Sequence, residues 1–372
     1  MAEASPRVVL LSLDAFVARH LGPVLTPRLW ALAATGGRAP DGGRCPMPSA
    51  TYSSHATLLT GRLPGGHGVW SGLAAAPEPG VVPGWAGAAR VATPTLFDAG
   101  RAAGVRTAAI LGDQHLPGVI GAEVADVVWP SAGALPPGAP TDAFGYAANA
   151  AVRAPLLAAI RDGSLGFVFG HINETDTIGH QFGPDHPEAI AAHARADSLV
   201  GEVLDALAAD WARSMVIVVS DHDMEAVGDE PAIDLLADPA VAALARTALS
   251  QGGSALVRPR EGVHPARAGA ALADVPGVTG WSVAGPEMVL VEGEPGRWFR
   301  VDPPPPVRGF HGGPGAALTL AVIGGGHQAV AAIAAAIGDE RLPPALADWA
   351  PTIAAVLGLD LGAVEGRNLA GG

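Results

Sequence analysis

The chain has 372 residues, 49% of them hydrophobic and 16% charged, a balance that supports a full apolar core and excludes a disordered chain. It carries a formal net charge of −14 and contains no lysine, which excludes a Schiff-base amine, pyridoxal-phosphate attachment and a Walker-type phosphate loop. The acidic balance argues against a nucleic-acid polymer as partner, since phosphate-backbone binding draws on clustered positive charge.

A small phosphate ester stays open where metal cations reverse the field inside one pocket. Cys45 is the single cysteine, so no intramolecular disulfide forms and nothing points to an oxidising compartment. The opening MAEASPRVVLLSLDAF has an early Glu3 and an apolar run that stops at Asp14. It reads as neither a signal peptide nor a membrane span, so the expected location is cytoplasmic, with no membrane partner.

In chain order, strand-like apolar runs are expected at Arg7–Leu13, Arg106–Leu111, Leu165–Phe169, Met215–Val219 and Leu318–Ile323. Ala-rich stretches with helical spacing, such as Pro187–Ala208 and Gly325–Ile337, lie between or after them. This alternation predicts an α/β fold with a mostly parallel central sheet covered by helices on both faces. Residues 230–308 break the rhythm with shorter apolar pieces and the Pro-rich VDPPPPVRG. The expected division is a metal-binding catalytic core of residues 1–229 and 309–372, with 230–308 as an inserted cap that sets substrate specificity.

Ligands of such sheets bind beyond the carboxyl ends of the strands. There the first strand delivers Asp14, the third leads into Asp176 and His180, and the fourth runs into Asp221 and His222. Singly, an Asp at a strand end can cap a helix and a His can be a satisfied core group. Together, carboxylates crowded at one edge repel one another and resist desolvation unless a cation sits among them. With no lysine available, divalent metals are the candidates, and mixed Asp and His donors suit zinc, then manganese or iron, better than magnesium or calcium. A further ligand is expected at His311, in the Gly-rich GFHGGPG.

The segment PSATYSSHATLLTGR places Thr51 where a helix begins. A helix amino terminus offers free N–H donors and partial positive charge, a phosphate cradle. Thr51 or Ser53 could simply cap that helix; a metal beside the Thr51 hydroxyl would instead make it a nucleophile.

These residues resemble the alkaline phosphatase superfamily, in particular its type I phosphodiesterase/nucleotide pyrophosphatase and phosphonoacetate hydrolase-like branch. The matching pattern is Asp14, Thr51 with Thr60-Gly61, Asp176 and His180, Asp221-His222 and His311-Gly312, with the tail Asp348–Leu369 and the piece QGGSALVRP also similar. The resemblance implies an alkaline-phosphatase-like sandwich. It implies one ion held by Asp176, His180 and His311, a second by Asp14, Asp221 and His222, and Thr51 on the latter, attacking phosphorus to give a phospho-threonine. It also implies a small nucleotide-like phosphodiester or pyrophosphate as substrate.

The branch usually has an asparagine three residues after the nucleophile, and this chain has Ser54. Ser54 and Tyr52 are the candidate substrate-binding residues, and the choice among diester, monoester and phosphonate rests open on the former. Sulfatases share the LTGR of Leu59–Arg62 but need a Cys or Ser in a Cys/Ser-x-Pro-x-Arg motif, where this chain has Thr51. The alternatives kept are a phosphonate hydrolase or phosphomonoesterase of the same superfamily and a metal-binding phosphoester sensor without turnover. His55, His67, His115 and His171 stand near the motif segments, where they can support the ligands.

Overall fold

A computed structural model describes residues 5–71, 90–301 and 305–371. Residues 1–4 of the opening stretch and 302–304 of the Pro-rich segment lie outside the described residues. The strands used below are β1 (Arg7–Leu13), β2 (Gly37–Arg38), β3 (Thr107–Leu111), β4 (Val127–Trp129), β5 (Phe167–Ile172), β6 (Ser214–Val219), β7 (Ala245–Ser250), β8 (Ser254–Pro259), β9 (Val278–Gly285), β10 (Met288–Gly293) and β11 (Ala321–Gly325). The helices used below are α1 (Pro27–Thr35), α2 (Thr51–Thr60), α3 (Leu96–Ala103), α4 (Asn149–Arg161), α5 (Glu174–Phe182), α6 (Pro187–Ala206), α7 (Pro265–Leu272), α8 (Val330–Ile337) and α9 (Trp349–Leu357).

The main sheet has seven strands in the order β2-β11-β6-β1-β5-β3-β4. Its pairs from β6 through β4 are parallel. The side chains of β1 alternate between two cores, as a strand covered on both faces requires. Val8 and Leu10 join the core built with α2, α3, α8 and α9, whereas Val9, Leu11 and Leu13 join the one built with α1, α4 and α6. Each such side chain withdrawn from water contributes about 1.5–3 kcal/mol, so the centre of the sheet is the firmest part of the fold.

One expected strand differs in extent and direction. Leu318–Thr319 makes a short antiparallel pair with Gly43–Arg44, and the strand proper, β11, runs antiparallel to β6, with Ala321 opposite Val219 and Gly325 opposite Met215. The chain returns to the core at the carboxyl edge of the sheet and so enters β11 from that end. A short apolar run carries no sign of direction. The consequence is functional: the segment just before β11, with His311, is held at the same edge as Asp14 and Asp221.

Within residues 230–308 a second, four-stranded antiparallel sheet has the order β9-β10-β8-β7. With α7 it encloses its own core, including Ile233, Val257, Leu272, Val291 and Phe299. Among the described residues no helix is long and apolar enough to cross a membrane.

Candidate active site

Asp14 follows β1, and Asp221 and His222 stand just beyond β6, the strand beside it. All three are buried, at no more than 1% exposure. Asp221 Oδ1 accepts the main-chain N–H of Ala15 at 3.1 Å and of His222 at 3.0 Å. Its Oδ2 and Asp14 Oδ1 have no hydrogen-bond partner. Both lie near His222 Nε2, at 3.2 and 3.5 Å.

Asp176 and His180 lie four residues apart on α5, so the helix period places them on one face. Asp176 Oδ1, also without a hydrogen-bond partner, is 3.4 Å from His180 Nε2 and 3.7 Å from His311 Nε2. The His311 ring stacks on that of His222 with centroids 3.9 Å apart, so the two groups adjoin. One donor atom each from Asp14, Asp221 and His222 lie within 4.8 Å of one another, as do those from Asp176, His222 and His311. His180 joins the second group through Asp176.

The three imidazoles are oriented alike. His222 Nδ1–H donates to the Asp223 carbonyl at 3.0 Å, His180 Nδ1–H to Gly309 at 2.8 Å and His311 Nδ1–H to Ser49 at 3.2 Å. A carbonyl only accepts, so each Nδ1 carries the proton and each Nε2 keeps a lone pair. Three lone pairs and three unpartnered carboxylate oxygens therefore face one another, and the donors fit divalent transition-metal ions.

Electrostatics gives the same answer. Burial, then the carboxylates of Asp221, Asp176 and Asp113, pushes Asp14 well above the ordinary carboxyl range. Burial also raises Asp176 and, with His222 and His180, drives His311 well down. Cations placed among these groups would let the acids ionise.

Thr51 is the first residue of α2. Its N-cap, Ala50, supplies no side-chain bond, and the Thr51 hydroxyl lies 3.2 Å from His222 Nε2. The hydroxyl therefore joins the Asp/His cluster and does not close the helix end. His55, one turn on, fixes that end: its Nδ1–H donates to the Thr51 carbonyl at 2.7 Å, and its Nε2 accepts the Ser12 hydroxyl of β1 at 2.8 Å.

A cavity of about 630 Å³ opens over Thr51, Asp176, His180 and His311. Tyr52, Phe144, Tyr146 and Trp298 give it an aromatic wall, and Gln251 and Gly252 reach it from the turn between β7 and β8. Tyr52 is in this wall, its hydroxyl donating to Asp113 Oδ2 at 2.7 Å. Ser54 is not: it is fully buried and does not line the cavity, because it packs beneath the helix near Cys45. Asp113 escaped the sequence reading although it follows the buried β3 much as Asp14 follows β1, so the same strand-end signal would have found it. The aromatic wall comes from loops with no shared spacing.

No curated protein sequence matches the chain. Solved structures do. Murine ectonucleotide pyrophosphatase/phosphodiesterase 5 is 18% identical, with 97% of each chain covered and a TM-score of 0.72. The human protein of that name is 15% identical over 97% of each chain, TM-score 0.69. An inactive threonine-to-alanine variant of the murine protein, in complex with AMP, is 17% identical over 98% of each chain, TM-score 0.72. At these identities the likeness shows the fold. The family is shown by a second finding: the sequence profile of type I phosphodiesterase/nucleotide pyrophosphatase matches residues 8–299, and the chain belongs to that family.

Proposed function

We propose that the protein is a two-metal phosphohydrolase that cleaves a phosphodiester or pyrophosphate bond of a small nucleotide-like substrate through a phospho-threonine. The observation that carries this is the convergence of three unpartnered carboxylate oxygens, from Asp14, Asp176 and Asp221, around the Thr51 hydroxyl at the start of α2. Asp14, Asp221 and His222 hold one ion and Asp176, His180 and His311 the other, with zinc the first choice for this donor set. Bound ions supply charge neutralisation at the attacking and leaving oxygens and lower the hydroxyl pKa.

The chain's own residues do the rest. Thr51 Oγ1 forms a bond to phosphorus as the P–O bond to the leaving group breaks, and the hydroxyl proton ends on the released alcohol or phosphate. Water then cleaves the phospho-threonine, restoring the hydroxyl and releasing the phosphoryl product. The amino end of α2 faces the developing negative charge with its partial positive charge. Residues 230–308 serve as the specificity cap, because Gln251, Gly252 and Trp298 help to line the cavity. Tyr52, Phe144 and Tyr146 offer flat faces to an aromatic base. The structural neighbour's AMP complex and the family's name support a nucleotide-like substrate.

The test is hydrolysis of bis-p-nitrophenyl phosphate and p-nitrophenyl thymidine 5′-phosphate by the purified protein, with and without chelator. Metal-dependent release is expected, with Thr51→Ala retaining its ions and losing at least about 10³-fold in kcat. Near-wild-type turnover by that variant would end covalent catalysis through Thr51. No metal-dependent release from either ester would favour a sensor.

A further inference from the structure

We infer that His171, a buried residue of β5 outside the two groups of ligands, is the positioning residue for Asp14: it engages one carboxylate oxygen so that the other alone is presented to the ion held with Asp221 and His222. The inference rests on the two-metal reading above and adds to it which oxygen binds, and why.

His171 is opposite Ser12 in the parallel pairing of β5 with β1, two residues before Asp14. Its Nε2 is 2.8 Å from Asp14 Oδ2. A proton lies between the two atoms at that distance, and against an ionised Asp14, the form that binds a cation, it belongs to His171, whose Nε2–H donates. His171 Nδ1 is buried with no hydrogen-bond partner, so this bond is the side chain's one polar tie. Its ring stands edge-on to His55, with centroids 4.8 Å apart and planes at 82°, a contact that keeps the imidazole from turning about χ2.

The other polar atoms of Asp14 are also engaged. Its N–H donates to the Ile172 carbonyl at 2.9 Å, and its carbonyl accepts the Thr175 hydroxyl. Only Oδ1 is left without a partner, and it points to His222 Nε2 at 3.5 Å. A carboxylate free to rotate could chelate through both oxygens or turn away. The donor on Oδ2 removes that freedom before any ion arrives, which is how hydrogen bonds behind a ligand raise metal affinity.

The test compares full-length wild type with His171→Leu, which deletes the donor, and His171→Gln, whose amide nitrogen reaches the place of Nε2. Readouts are zinc affinity by chelator competition, the visible spectrum of the cobalt-loaded protein, and kcat and KM for bis-p-nitrophenyl phosphate. The expected result is loss of about 10–100-fold in affinity for one ion in the Leu variant. The second ion should be unchanged, with an altered cobalt spectrum, a fall in kcat at constant KM, and recovery of most of the affinity in the Gln variant.

Should the Leu variant fail to fold, His171→Asn takes its place, since its shorter amide sits where Nδ1 was and cannot reach Oδ2. Wild-type affinity for both ions in the Leu or Asn variant, or equal losses in Gln and in Leu or Asn, would overturn the positioning role alone. A wild-type protein that binds no ion would overturn the two-metal reading and this inference with it.

Discussion

The two halves of the proposed ligand set are built differently. Asp14, Asp221 and His222 leave adjacent parallel strands at the centre of the sheet, and their side chains are 0–1% exposed. Asp176, His180 and His311 stand on a helix and a loop, with side chains 10–19% exposed. The loop is clamped from both sides. Ser49 accepts Gly312 N–H at 2.8 Å and donates its hydroxyl to the Gly313 carbonyl at 2.6 Å, while Gly253 N–H of the insertion donates to the His311 carbonyl at 2.8 Å.

The approach is so close that a Cβ on Gly312, whose φ is +95°, would meet the Gln251 carbonyl oxygen at 1.7 Å. One half is therefore placed by the sheet ladder; the other depends on contact between the core and residues 230–308.

The largest break in this comparison is Asp221→Ala. It should empty the strand-end group and lower kcat by about 10³-fold, the equivalent of several kcal/mol of lost charge stabilisation, while one ion stays in the loop-held group. Loss of both ions, read by elemental analysis, would show that the halves are not separable.

Gly312→Ala attacks the other half. Strain of about 1–3 kcal/mol at the left-handed position, added to the clash, should lower Tm by several degrees and weaken one ion by tenfold or more. Strand-end binding should hold. Wild-type Tm and metal content would mean that the loop yields and the clamp has no such role.

Acidity sharpens the comparison through stability. In the metal-free chain Asp14 and Asp176 have raised pKa values, so these two groups bind more protons in the folded state than in the unfolded one. The stability they contribute is full at or below the ordinary carboxyl pKa of about 4 and is lost as pH rises towards the raised values. The loaded protein should gain relative to the metal-free one over the same range, because binding needs ionised ligands. In thermal melts at about pH 5 and pH 8, with chelator and with zinc, the gain in Tm on adding zinc should be larger at the higher pH; an equal or smaller gain there would contradict the assignment.

The smallest effect is expected from Tyr52→Phe, which frees one oxygen of the buried Asp113. KM for a nucleoside ester should rise a few-fold, about 1 kcal/mol for one lost hydrogen bond, with kcat and metal content unchanged. A changed kcat would place Tyr52 nearer the chemistry than the cavity wall.

How much of this was legible depended on whether a residue's surroundings announced it. A carboxylate ending a run such as RVVLLSL stands out because a strand buried on both faces tolerates no charge until it leaves the sheet. Helical spacing does the same for Asp176 and His180, and the glycines of GFHGGPG mark a backbone pressed against another backbone. The direction of β11 was hidden, since a five-residue apolar strand reads alike in both senses. Ser54 was misplaced for a related reason: a position three residues beyond Thr51 fixes a helix face, not what packs on that face. Tyr146 and Trp298 reach the cavity only through tertiary folding.

In the proposed site, side chains gathered from both ends of the chain hold two ions beside one hydroxyl. Anomalous diffraction from crystals of the zinc-loaded protein tests it most directly. One peak is expected among Asp14, Asp221 and His222, within bonding reach of Thr51 Oγ1, and a second among Asp176, His180 and His311. A single peak, or ions bound elsewhere with these oxygens turned away, would contradict it.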